Sequence, residues 1–160
     1  MKVCIIYHSE TGNTRHVAQH LASVFDAKLV EICDLATHSR LTRFLIWCKM
    51  AHSEDLTKIE PDVIDVSGYD LLIFGSPVWA FKPTPAIHSA INALVGCEGK
   101  RAVAFSTHGG RPGQTEEIYK KWIENRGMRL IGVAGIHQND VESEKRTREI
   151  VALVETAKKS

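Results

Sequence analysis

The residues best placed to do chemistry are Ser9-Glu10-Thr11-Gly12-Asn13-Thr14, directly behind the apolar run Val3-Cys4-Ile5-Ile6-Tyr7. The pattern reads as a strand that stops, a hydroxyl-rich turn, and a helix from near Asn13 through Val17, Leu21 and Phe25. A helix N-terminus presents N–H groups without intrahelical partners and a partial positive charge. The hydroxyls of Ser9, Thr11 and Thr14 add donors, and Gly12 lets the backbone come close. Together they form an anion cradle of the size of a terminal phosphate.

Two further segments carry ligand-binding residue types. Gly75-Ser76-Pro77-Val78-Trp79-Ala80-Phe81-Lys82-Pro83-Thr84-Pro85 offers an indole face that can stack on a flat ring, on a loop stiffened by Pro77, Pro83 and Pro85. The plainer alternative is that Trp79 and Phe81 cap the sheet. Ser106-Thr107-His108-Gly109-Gly110-Arg111-Pro112-Gly113-Gln114-Thr115 contains a glycine pair whose N–H groups can reach the polar edge of a ring, or which serves only a surface loop.

The elements that must position these segments alternate along the chain. Strand-like runs are Lys2 to Tyr7, Lys28 to Ile32, Leu71 to Phe74, Ala102 to Ser106 and Leu130 to Gly135. Helical patterns are Asn13 to Phe25, Pro85 to Val95, Thr115 to Asn125 and Glu142 to Lys158. Runs such as Leu71-Leu72-Ile73-Phe74 suit a parallel sheet covered on both faces. The expectation is α/β: one doubly wound domain over residues 1–160, with five parallel strands in the order 2-1-3-4-5. Ligands in such sheets sit at the carboxyl ends of the strands, where the cradle and the two loops fall. The second connection interrupts the rhythm with Leu41 to Met50, an apolar helix that either packs on the sheet edge or serves a partner.

Composition narrows the classes. Hydrophobic residues are 44% of the chain and the formal net charge is +1, which argues for a packed domain and against a nucleic-acid binder. No apolar run approaches the ~20 residues of a membrane span. Met1-Lys2 leads straight into a strand, so a cytoplasmic location is expected. Cys4, Cys33, Cys48 and Cys97 form no C-x-x-C pair, which suggests reduced thiols and no metal site. A dinucleotide G-x-G-x-x-G and a G-x-x-x-x-G-K-S/T loop are both absent after the first strand. His8-Ser9 and Ser76-Pro77 stand where a phospho-acceptor domain on this strand order would need acids.

The three segments resemble the flavodoxin family in order and spacing over almost the whole chain. Ser9 to Thr14 matches that family's T/S-x-T-G-x-T phosphate loop, and Gly75-Ser76-Pro77-Val78-Trp79 is similar to its second flavin loop. The resemblance implies a flavodoxin-like three-layer α/β/α sandwich holding FMN. Ser9, Glu10, Thr11, Gly12, Asn13 and Thr14 would take the phosphate. Ser76, Pro77, Val78 and Trp79 would lie along the ribityl chain and one ring face. Ser106, Thr107, His108, Gly109 and Gly110 would lie at the pyrimidine edge. The family's third loop often carries a stacking tyrosine, but no aromatic lies between Ser106 and Thr115 here. His8, Arg15, His16, Lys82, His108 and Arg111 make the loops more basic than those of acidic flavodoxins. The resemblance implies an electron-transfer protein, a monomer or weak dimer, meeting redox partner proteins transiently. The alternative on the same fold is an FMN-dependent NAD(P)H or quinone oxidoreductase.

Overall fold

Alternation of side chains along the strands decides the layering. The computed structural model describes residues 1–35 and 56–159. Their elements run β1 (Val3–His8), α1 (Asn13–Phe25), β2 (Lys28–Asp34), β3 (Ile59–Glu60), β4 (Ile64–Asp65), β5 (Leu71–Trp79), β6 (Lys82–Pro83), α2 (Pro85–Asn92), β7 (Leu94–Val95), β8 (Arg101–His108), α3 (Thr115–Glu124), β9 (Arg129–His137) and α4 (Glu144–Lys159). In β1, Val3, Ile5 and Tyr7 enter one apolar core while Cys4 and Ile6 enter the other, as a pleat requires. Leu71 and Ile73 against Leu72 and Phe74 repeat the split in β5, and Val103 and Phe105 against Ala102 and Ala104 repeat it in β8.

Strands apolar on both faces need cover on both. Val17, Ala18 and Leu21 of α1 and Ile150, Val154 and Ala157 of α4 close one core. Ile87, Ala90 and Ile91 of α2 and Tyr119, Trp122 and Ile123 of α3 close the other. The result is a three-layer α/β/α sandwich. Among the described residues, no helix is long and apolar enough to cross a membrane.

The five long strands lie in the order β2-β1-β5-β8-β9, all parallel, which is the expected 2-1-3-4-5. The sheet is larger than expected, because two short segments add to it and make it seven-stranded. β3 pairs antiparallel with the end of β2, and β6 pairs antiparallel with the end of β5. A separate parallel pair joins β4 to β7, where the α2 pattern was expected to continue to Val95. The segment Leu41 to Met50, with Cys48, lies outside the described residues.

The third strand differs most from its expected bounds. β5 does not end at Phe74 but runs through Trp79 and folds back on β6, with Val78 opposite Pro83 and Trp79 opposite Lys82. Pro83 has no N–H to give, so it is tolerated only on such a short flanking strand. The turn consists of Ala80 and Phe81, both at positive φ (45° and 66°). That is the left-handed pair a tight hairpin demands, carried here by residues that rarely adopt it.

Candidate functional site

The cradle forms where β1 ends and α1 begins. Gly12 is the N-cap of α1 at φ 96°, and no side chain caps from that position. Ser9 partly substitutes: its Oγ accepts the Arg15 N–H at 3.2 Å. The first turn of α1 holds no acidic residue, so nothing there offsets the positive end of the helix dipole. Glu10 and Thr11 are exposed at the rim, while Gly12 and Asn13 are half-buried. Thr14 is turned inward, and its Oγ1 lies 2.8 Å from Thr107 Oγ1 in a buried contact. Of the three hydroxyls only that of Thr14 is turned inward; Thr11 is exposed, and Ser9, an acceptor from Arg15, keeps its own proton to donate.

The second segment is held by its own serine. Ser76, fully buried, donates from Oγ to the Pro77 carbonyl at 2.8 Å and accepts the Thr84 N–H at 2.9 Å, with Thr84 Oγ1 at 3.0 Å. Its hydroxyl thus closes the hairpin onto the start of α2. Pro77, Val78 and Trp79 are half-buried. Trp79 meets His8 edge to face, with ring centroids 5.8 Å apart at 88°.

The third segment leaves β8 with Ser106 and Thr107 buried, His108 half-buried, and Gly109 and Gly110 exposed. Its bend is fixed by a residue with no sequence signal, His137 at the end of β9. The Asn139 N–H donates to His137 Nδ1 at 3.2 Å, which places the ring proton on Nε2, and Nε2 donates to the Gly109 carbonyl at 3.2 Å. His108 packs edge-on to His137 at 5.6 Å. Farther along, Gly113 at φ 62° lies so close to Phe81 that an added Cβ would stand 2.4 Å from the Phe81 Cβ. The Gln114 N–H donates to the Phe81 carbonyl at 3.0 Å.

The structure thus joins the three segments in pairs. Thr14 ties the first to the third, His8 and Trp79 bring the first to the second, and Phe81 ties the second to the third. Phe81 itself is 62% exposed at the hairpin tip.

Charge beside the cradle is organised by Glu31 of β2. Arg15 Nη2 lies 2.5 Å and Nε 3.1 Å from Glu31 Oε1, and Tyr7 donates to Oε2 at 3.0 Å. The hydrogen bond from Arg15 is the largest cause holding the Glu31 carboxyl below its usual range. Burial, then the Glu31 hydrogen bond, pushes the Tyr7 phenol up to about 12. Arg15, one of the basic residues near the loops, is therefore already neutralised by a partner. Among the described residues, no group of three or more His, Cys, Asp or Glu is arranged to hold a metal ion.

Among the described residues, His8 Nε2, just ahead of the cradle, and Ser106 Oγ are buried without a hydrogen-bond partner. Side chains at Gly12 or Gly110 would meet nothing within 4 Å, so the backbone at both is open to an approaching group. A helix N-terminus with no acid in its first turn, open glycines, an indole, and unfilled polar atoms near the ends of β1 and β8 suit a phosphorylated, flat, polar-edged cofactor.

Comparison with known proteins agrees with that chemistry. An FMN-bound flavoprotein from Lactobacillus acidophilus NCFM is 26% identical, with a TM-score of 0.70 over 91% of this chain and 98% of that one. A WrbA-like flavodoxin from Agrobacterium tumefaciens is 16% identical, with a TM-score of 0.64 over 99% and 98%. Megasphaera elsdenii flavodoxin is 20% identical, with a TM-score of 0.63 over 99% of each chain. No curated protein matches the chain. The family model described as NADPH-dependent FMN reductase matches residues 1–133. The chain belongs to that family: it is an FMN-binding flavoprotein of the flavodoxin-like fold.

Proposed function

We propose that the protein is an FMN-dependent NAD(P)H oxidoreductase that passes reducing equivalents to a flat acceptor such as a quinone. The observation that carries this reading is the family match over residues 1–133. The fold alone hosts both electron carriers and reductases, so the electron-carrier expectation, which rested on fold and loop resemblance, yields to the reductase alternative. The open third segment supports it: Gly109, Gly110 and Arg111 are exposed and no aromatic covers them from that loop, which leaves room for a second flat ring.

In this reading Ser9, Glu10, Thr11, Gly12, Asn13 and Thr14 form the phosphate loop, chiefly through backbone N–H groups and the Ser9 and Thr11 hydroxyls. Ser76, Pro77, Val78 and Trp79 line the ribityl chain and one ring face, with Ser76 acting by holding the hairpin. Ser106, Thr107, His108, Gly109 and Gly110 border the pyrimidine edge. FMN, when bound, accepts hydride and hands electrons on. The chain binds, orients and shields it. The three ties between segments hold these groups in place before the cofactor arrives, which lowers the ordering cost of binding.

Anaerobic mixing of the FMN-loaded protein with NADPH or NADH tests the proposal. Saturable bleaching of the flavin absorbance, reversed over many turnovers by added quinone, is the expected result. A flavin that stays oxidised with both nucleotides, yet is reduced by a low-potential redox protein, would return the chain to the carriers.

A further inference from the structure

We propose that His8 binds the FMN phosphate through Nε2, as an additional contact beside the 9–14 loop. The inference rests on assigning that loop to the phosphate. His8 is the last residue of β1 and stands immediately before the cradle. It is only 4% exposed. Its Nδ1 lies 3.0 Å from the Ile32 carbonyl, and a carbonyl only accepts, so a proton sits on Nδ1. The ring is thereby anchored to β2, and the indole of Trp79 packs against it at 88°.

The opposite nitrogen has no such partner. Among the described residues, Nε2 is buried without a hydrogen bond. Its nearest acid is Glu10 Oε1, at 3.9 Å beyond hydrogen-bond reach. The other charged groups nearby are Glu31 of β2 and Arg15 of α1, which are bound to each other. Leaving a buried polar nitrogen unfilled is costly, and native structures reserve such atoms for a ligand or water. A phosphate oxygen fills it: with a second proton, Nε2 becomes a charge-assisted donor to the dianion.

The test compares FMN with riboflavin, its analogue without the phosphate, by flavin fluorescence on the apoprotein. His8→Asn keeps a donor near the Nδ1 position and removes Nε2, whereas His8→Gln keeps a donor near the Nε2 position. The wild type is expected to bind FMN more tightly than riboflavin. His8→Asn should lose roughly tenfold or more of FMN affinity with riboflavin affinity unchanged, and His8→Gln should restore much of the loss. Equal weakening of both ligands would mean that His8 acts through Trp79 or the ribityl chain, and unchanged FMN affinity would mean no contact; either overturns the inference. A wild type with no preference for FMN would overturn the phosphate-loop assignment itself. Imidazole ¹⁵N resonances of the wild type give a readout independent of folding in the variants. FMN should move the His8 Nε2 signal toward the imidazolium form and riboflavin should not; identical responses to both would overturn the inference.

Discussion

Thr14 and Thr107, 93 residues apart in the chain, share a buried hydroxyl–hydroxyl hydrogen bond of 2.8 Å. It joins the first turn of α1 to the end of β8, and with them the cradle to the third loop. Thr14→Val keeps the shape and strands the Thr107 hydroxyl in a site 4% exposed. The expected cost is about 1–3 kcal/mol of apoprotein stability. The double variant Thr14→Val/Thr107→Val should cost less than the sum of the singles, because no buried hydroxyl is then left alone. Urea unfolding of the four proteins measures the coupling, and strict additivity would show that the bond carries no stability.

Gly113 is the point where the third loop touches the hairpin. Gly113→Ala combines a left-handed backbone with a Cβ 2.5 Å from the Phe81 carbonyl oxygen, and backbone cannot step aside as a side chain can. The loop should detach from the hairpin, with FMN affinity falling at least several-fold while most of the sheet's stability remains. Limited proteolysis would show new cleavage between residues 109 and 114. An intact loop and unchanged FMN affinity would show that the contact is dispensable.

The Arg15–Glu31 pair gives a pH dependence of definite sign. The Glu31 carboxyl is held below its unfolded range by Arg15, so its contribution is present above that range and is lost as pH falls through the folded value. The Arg15 side chain is 45% exposed, which limits the effect to under about 1 kcal/mol. Glu31→Gln should melt slightly lower than wild type at neutral pH. The gap should narrow on acidification and close only once the pH has fallen below the lowered folded value, under the ordinary glutamate range. Parallel melting curves across that pH range would deny the pair any role.

Thiol chemistry should follow burial. Burial pushes the Cys4 thiol up to about 11, and Cys97 is fully buried, whereas Cys33 is exposed. Brief alkylation of the native protein, read by peptide mass spectrometry, should modify Cys33 and spare Cys4 and Cys97 until denaturant is added. Rapid labelling of Cys4 would contradict the burial of β1.

The parallel sheet was legible because its strands are apolar on both faces and its helices repeat with the right period. α1 was expected over Asn13 to Phe25 and lies there, since a glycine turn starts it and an apolar stripe runs its length. The hairpin after Gly75 was not legible. Its prolines read as loop, and Ala80-Phe81 lacks the Asn-Gly or Asp-Gly signature that announces a tight turn. Side-chain direction was equally hidden. Nothing in the residue types says that Thr14 and Ser76 spend their hydroxyls inside the fold, or that His137 reaches across to Gly109. β3, β4 and β7 are two residues each, too short for any periodic pattern to reveal.

The left-handed Ala80–Phe81 turn sets a trap for protein engineering. A screen scored only on melting temperature would favour glycine or asparagine at position 80, since either relieves a φ of 45° that alanine resists. The winners would be hardier proteins with a hairpin freer to swing, and the indole two residues from the tip would lose its fixed angle. On the proposed assignment of Trp79 to the flavin ring, selection for hardiness and selection for flavin chemistry pull this one turn in opposite directions.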